Sequence, residues 1–436
     1  MAVFVLDQHK KPLDPCSEKR ARQLLERGRA RVHKLKPFTI RIVDRLIKDS
    51  YVNGVAVKID PGSKETGVAV VREDDAGVHA LMFINFKHRG SLIHKKMEQR
   101  AAFRRRRRSA NLRYRAPRFN NRRRPQGWLA PSLQHRVDTT TGWVRRLCLL
   151  APVRRIDMEL VKFDMQIMQN PDISGVEYQQ GELVGYEVRE YLLEKWGRKC
   201  AYCGKENVPL EIEHIVPKSH GGSNRISNLT LACHECNQAK GNLPAKEFLK
   251  DRPETLNEIL RQAKTPLKDA AAVNATRWAL YRELKTFGIP VRTGSGGKTK
   301  WNRTRLGIQK EHWLDALCVG DVTSVDGIHK PALFITCMGR GSHQRTRLNK
   351  YGFPRGLCIR QKRVFGFATG DIVKAVVPKG KNTGTYIGRV AVRHTGSFDI
   401  QVGNTKVTGV HWKYCHLLQL SDGYGYSNIT VAGLNA

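Results

Sequence analysis

Residues 200–242 read CAYCGKENVPLEIEHIVPKSHGGSNRISNLTLACHECNQAKGN. Two Cys-x-x-Cys pairs, Cys200/Cys203 and Cys233/Cys236, frame the stretch. Four thiolates in two such pairs complete a tetrahedral zinc shell, and a closed shell leaves no position for substrate. The expected Zn²⁺ is therefore structural, and chemistry falls to the residues between and after the pairs. Glu213, His214 and Asn237 suit a hydrolytic site, with two oxygen ligands for Mg²⁺ and an imidazole base for water. A ribbon that only binds nucleic acid needs just the cysteines. The Glu-His-Ile-x-Pro, Asn-Leu-Thr and Asn-x-x-Lys-Gly-Asn elements in register with them argue for more. The gap at 204–232 is also longer than a minimal ribbon requires.

The pattern resembles an HNH nuclease module, a ββα-metal fold built on a zinc ribbon, here expected over 187–252. The resemblance implies Glu213, His214 and Asn237 as its triad, with Mg²⁺ on Glu213 and Asn237. Glu213 stands where relatives often carry Asp. Glu211 lies two residues earlier on the same strand face and reads as a solvated strand charge. Asn228, in Ser-Asn-Leu-Thr-Leu, reads as a residue that supports the fold.

Outward from this module the chain is strongly basic. Its 436 residues suffice for several domains. Lys plus Arg number 77 against 39 acidic residues, a net charge of +38. Such a charge repels itself unless a polyanion neutralises it, and nucleic acid is the expected one. There is no 18-residue apolar run and no signal-peptide pattern, so a membrane is not expected as partner. The six cysteines outside the two pairs are scattered, which suits a reducing cytosol better than a disulfide framework. A monomer is expected, since no heptad stripe is evident.

Residues 1–54 read as a small basic unit of strand, helix and strand, with Ser17 as the helix N-cap. VAVKID opens a three-strand meander over 55–86, and Asp60 sits where its first strand meets the turn PGSKETG. Residues 87–124 hold sixteen Lys/Arg and one acid, Glu98. A helix from Leu92 to Arg115 would be roughly 36 Å long. Arg100, the run Arg104, Arg105, Arg106, Arg107 and Arg108, and Arg113 and Arg115 would then project all round it toward nucleic acid. Glu159 lies in the strand VRRIDMEL, and His312 and Asp315 share one face of the helix HWLDAL. The tail over 326–436 reads as a small basic β-barrel-like domain.

Asp60, Glu159 and Asp315 would repel one another in one pocket unless cations neutralised them. Two Mg²⁺ ions could do so while clamping the attacking and leaving oxygens of a phosphodiester, with His312 to position or deprotonate water. The order is strand–Asp, arginine-rich helix, strand–Glu, HNH insertion, helix His-x-x-Asp. It resembles the IscB family of transposon-encoded RNA-guided nucleases over nearly the whole chain. The N-terminal unit resembles that family's PLMP domain, although Pro12-Leu13-Asp14-Pro15 has Asp where the name has Met.

This resemblance implies an α/β multidomain fold. A RuvC-like RNase H nuclease is split over 55–86, 126–186 and 253–325, with 87–125 as bridge helix, the HNH insertion, and a C-terminal domain that reads a motif flanking the target. It implies a structured guide RNA (omega RNA), a double-stranded DNA target, and a place in the prokaryotic cytosol or nucleoid. HNH would cut the guide-paired strand and the RuvC-like site the displaced one, with sequence read by base pairing. Two other classes fit parts of the sequence. One is a guide-independent HNH endonuclease, and the other a non-catalytic RNA-binding zinc-ribbon protein.

Overall fold

The computed structural model describes residues 2–112, 127–160, 188–189, 192–193, 195–264, 268–339, 346–358, 361–403 and 405–429. The chain folds as a mixed α/β multidomain protein around one large sheet. Strand β5 (Val55–Pro61) is buried at every position. Both sheet faces are covered there, which is why the strand is mostly apolar and why Lys58 within it is buried against Glu73 at 2.9 Å. β6 (Glu65–Asp74) and β7 (Gly77–Lys87) continue from it as an antiparallel meander. β8 (Val153–Glu159) runs parallel to β5 on its other side, and β11 (Val291–Gly294) parallel to β8. β12 (Val325–Asp326) and β13 (Ala332–Cys337) lie parallel to β7, and β23 (Tyr424–Ile429) runs antiparallel to β13. The resulting order is β11-β8-β5-β6-β7-β13-β23.

Period-two alternation sends opposite residues of these strands into two cores. Val57, Ile59, Val68, Val70, Ile84 and Phe86 face α3 (Pro131–Leu150) and α6 (Lys268–Lys285), meeting Trp143, Leu147, Leu280 and Leu284. Trp143 is fully buried, its ring 5.6 Å from that of Phe86 and 5.5 Å from that of Tyr424. The other face presents smaller residues, Ala56, Ala69 and Ala80, to Trp313, Leu314 and Leu317 of α8 (His312–Leu317). Small side chains there let a short helix lie close against the strands.

The N-terminal unit holds more strands than its sequence suggests. Four strands, β1 (Val3–Leu6), β2 (Pro12–Cys16), β3 (Ala30–Lys34) and β4 (Thr39–Ile42), form a sheet in the order β2-β1-β4-β3. Prolines in Pro12-Leu13-Asp14-Pro15 disguise β2, and they are tolerated because β2 is an edge strand. Helix α1 (Glu18–Glu26) begins at Ser17, whose hydroxyl accepts the Arg20 N–H at 3.2 Å.

The zinc-ribbon stretch folds as β9 (Leu210–His214), antiparallel to β10 (Leu229–Cys233), followed by α4 (His234–Lys240). Its core joins Leu210, Ile215, Leu229 and Leu231 to Leu249 and to Ile259 of α5 (Pro253–Ala263).

Two expectations need correction. The arginine-rich helix, α2, spans Gly90–Ser109 rather than starting at Leu92, and Asn111 beyond its end is in the left-handed region at φ 63°. Arg113 and Arg115 lie outside the described residues. The tail is not one β-domain either, because β13 and β23 complete the large sheet. Between them, β18 (Ile372–Val377), β19 (Gly384–Ala391), β20 (Ser397–Val402), β21 (Thr405–His411) and β22 (Cys415–Gln419) form a separate five-stranded sheet. Strand alternation alone cannot tell which sheet a segment joins. Among the described residues no helix is long and apolar enough to cross a membrane.

Candidate functional site

Asp60 is the penultimate residue of β5 and Glu159 the last of β8. The parallel register pairs Ile59 with Met158, so the two carboxylates leave the sheet side by side. Helix α8 brings His312 and Asp315 over the same end, with His312 Nδ1 2.8 Å from Asp60 Oδ2. α8 reaches that close because β6 has Gly67 beneath it. A Cβ there would lie 1.8 Å from the His312 carbonyl oxygen.

The electrostatics are those of a crowded anion site. Burial and the Asp60 charge push the Glu159 carboxyl up to about 8, against the pull of Arg277. Burial and Asp60 likewise push Asp315 up to about 6, against Arg303. Burial also raises Asp60, but the hydrogen bond and charge of His312 outweigh it and hold Asp60 below its ordinary value. His312 feels the converse: burial lowers it, and Asp60 and Asp315 lift it to about 9. Each acid has its own cationic neighbour: His312 for Asp60, Arg277 at 3.3 Å for Glu159, and Arg303 at 2.8 Å for Asp315. Neither arginine carries a sequence signal; α6 and α7 (Gly296–Arg305) deliver them. The all-oxygen donor set, and the upward push of the Asp60 charge on Glu159 and Asp315, fit hard divalent cations such as Mg²⁺.

In the ββα unit one ligand atom from each of Cys200, Cys203, Cys233 and Cys236 lies within 4.8 Å of the others. Burial raises the Cys200 thiol, but backbone N–H groups of Cys233, Cys203 and Tyr202 outweigh it and bring it to about 7. Burial and the neighbouring sulfurs push Cys236 up. Four sulfurs that cannot all ionise together are the donor set that a bound Zn²⁺ would neutralise.

The residues expected to carry hydrolysis do not pair as the sequence suggested. Asn237 on α4 donates its side-chain amide to Glu211, and His234 Nδ1 lies 3.0 Å from the other Glu211 oxygen. Glu211 is thus an engaged acceptor rather than a free strand charge. Glu213 instead meets the buried Lys240 at 2.6 Å. One helical turn separates Asn237 from Lys240, and one strand period separates Glu211 from Glu213. The helix therefore lies along the strand in two rungs. His214 Nε2 lies 3.0 Å from Asn224 Oδ1, a partner that sequence reasoning missed. Asn228 bonds the Val216 N–H and C=O, both at 2.9 Å, and the Ser223 C=O.

Arg100 and Arg104 to Arg108 are exposed on α2. Arg106 lies over the Tyr351 ring at 4.5 Å. Tyr351 sits in the turn between β14 (Thr346–Leu348) and β15 (Pro354–Leu357).

Comparison with known proteins gives two family matches. The RRXRR protein family model matches residues 3–181, and the HNH endonuclease family model matches residues 200–243. Over 49 residues the sequence is 47% identical to the CRISPR-associated endonuclease Cas9 of Corynebacterium diphtheriae, covering 11% of this chain. The matched region spans 4% of that relative's length. Among solved structures, the Type II-C Cas9 enzyme from Actinomyces naeslundii matches 62% of this chain and 60% of its own. Its identity is 13% and its TM-score 0.19. Streptococcus thermophilus Cas9 in complex with the GGAA PAM matches 60% of this chain and 32% of its own, at 12% identity and a TM-score of 0.23. The cysteine cluster, the ββα order and the 200–243 match define an HNH endonuclease domain. A 49-residue stretch of the chain is similar to part of a Cas9 endonuclease.

Proposed function

We propose that this protein is an RNA-guided, Mg²⁺-dependent endonuclease that cuts both strands of a DNA duplex. What carries this reading is the gathering of Asp60, Glu159, His312 and Asp315 at one sheet end, in a chain that separately holds an HNH domain. One nuclease site per strand is the economical use of two such sites. The strand order around β5 agrees with a RuvC-like RNase H fold split over 55–86, 126–186 and 253–325. On this reading 87–125 is the bridge, 187–252 the HNH insertion, and the overall order that of an IscB-like protein. The separate five-stranded sheet, β18 to β22, would read a motif beside the target. The net charge of +38 suits a guide RNA and DNA together. A single chain in the ribonucleoprotein, located in a prokaryotic cytosol, completes the reading.

Asp60, Glu159 and Asp315 would hold Mg²⁺ at one site, and Glu213 with Asn237, or Glu211 in its place, at the other. When bound, Mg²⁺ supplies charge neutralisation of phosphodiester oxygens. In the HNH domain Asn224 accepts from Nε2–H of His214, which leaves the Nδ1 lone pair to take a proton from water. At the acid site His312 keeps its proton while Asp60 carries an unshared charge. It becomes a base once that charge is shared elsewhere.

Strand-resolved nicking of a labelled duplex by RNA-loaded protein tests the assignment. His214→Ala should leave cutting of the displaced strand, and Asp60→Ala should leave cutting of the guide-paired strand. Loss of both cuts from either single change, with nucleic-acid binding intact, would overturn the two-site reading. Cleavage without RNA would point to a guide-independent endonuclease. No Mg²⁺-dependent cleavage at all would point to a non-catalytic RNA-binding protein.

A further inference from the structure

We infer that His88, His135 and Cys337 form a second zinc site, which fastens the root of the arginine-rich helix to the large sheet. The three residues come from separate elements. His88 follows the last residue of β7, His135 lies in the second turn of α3, and Cys337 ends β13. One ligand atom from each lies within 4.8 Å of the others.

The hydrogen bonds around the two imidazoles suit ligation. His88 Nε2 lies 2.8 Å from Thr66 Oγ1, and His135 Nδ1 lies 3.4 Å from Thr139 Oγ1. Each ring thus turns one nitrogen to a threonine hydroxyl, the outer-shell arrangement that fixes a metal-binding imidazole. That leaves Nδ1 of His88 and Nε2 of His135 as lone-pair nitrogens. The His88 Nδ1 is buried and has no hydrogen-bond partner. A hydrogen-bonded pin would leave it unsatisfied, whereas a metal ion satisfies it. His135 Nε2 accepts only a 3.2 Å bond from the Arg89 N–H. Arg89 is the N-cap residue of α2, a position where an unpaired N–H is ordinary. The Cys337 thiol is buried, its contact a 3.9 Å approach to Thr139.

The charge state agrees. Burial and neighbouring cations push His88 down to about 3 and His135 down to about 4, so both are neutral, the ligating form, at pH 7. Burial raises the Cys337 thiol to about 11, which a cation would reverse. Two imidazoles and one thiolate are borderline-soft donors that suit zinc, and three protein ligands are the number zinc takes when it keeps a solvent ligand.

Zinc content of the full-length protein, dialysed against a weak chelator, tests the inference. Two ions per chain are expected for the wild type and one for His88→Ala/Cys337→Ser. One ion in the wild type, or two in both proteins, would overturn it. X-ray absorption of the wild type at the zinc edge needs no variant. A mixed sulfur and nitrogen shell supports the second site, and an all-sulfur shell sinks it.

Discussion

His312 Nδ1 lies 2.8 Å from Asp60 Oδ2, at a sequence separation of 252. The contact closes one end of the large sheet and joins the first strand of the meander to helix α8. Asp60 is held ionised by it, and His312 is held protonated. The site is therefore charge-paired before any cation arrives.

Gly67 is the point on which that contact rests. Gly67→Ala would drive a methyl into the His312 backbone, whose carbonyl oxygen and carbon lie 1.8 and 2.0 Å from the added atom. Helix α8 must shift, carrying His312 and Asp315 off the acid site. On the proposed two-site function, cutting of the displaced strand should fall by at least about 100-fold, with cutting of the paired strand unchanged. A strand-resolved nicking assay reads both, and equal losses on the two strands would refute the local account.

Stability without magnesium should fall as pH rises. Folded-state values of about 8 for Glu159, 6 for Asp315 and 9 for His312 all lie above their ordinary 4.5, 3.8 and 6.5. The folded protein therefore binds more protons than the unfolded chain from about pH 4 to 9, and stability declines across that window. Asp60, held low, contributes stability that is lost only below its ordinary 3.8. Melting in magnesium-free buffer should drop by a few degrees between pH 6 and 9. Added Mg²⁺ should shrink the drop, and Glu159→Gln should reduce it to the part that His312 contributes. A pH-independent melting temperature would contradict the assignment.

Glu211 should matter to hydrolysis as well as to structure. It holds the Asn237 amide, so Glu211→Gln should cut the HNH-dependent nick by roughly 10–100-fold and weaken its apparent Mg²⁺ affinity. If Glu211→Gln is silent and Glu213→Gln is inactive, the pairing of Glu213 with Asn237 read from the sequence is the right one.

Lys240 is buried, and its ammonium meets Glu213 at 2.6 Å. Lys240→Met removes one partner of a buried ion pair, a change that costs roughly 3–5 kcal/mol. The loss should be confined to the HNH domain. Hydrogen exchange across 200–243 should rise steeply while β5 to β7 stay protected. Uniform protection in the variant would mean the pair contributes little.

Much of this protein is written in local sequence. Thiol spacing alone marks Cys200, Cys203, Cys233 and Cys236 as one cluster, because zinc chemistry fixes both donor type and separation. The apolar run VAVKID and the helix spacing of His312 and Asp315 likewise report elements whose period is local. Tertiary structure alone decided the rest. Arg277 and Arg303 face the acids because α6 and α7 pack there, and no residue near either in sequence announces it. Glu211 and Glu213 share a strand face, so period two cannot say which meets Asn237; the position of α4 decides it. The strands Ala332–Cys337 and Tyr424–Ile429 look like their neighbours in the tail. Which sheet they join depends on hydrogen-bond partners that lie far away in the chain.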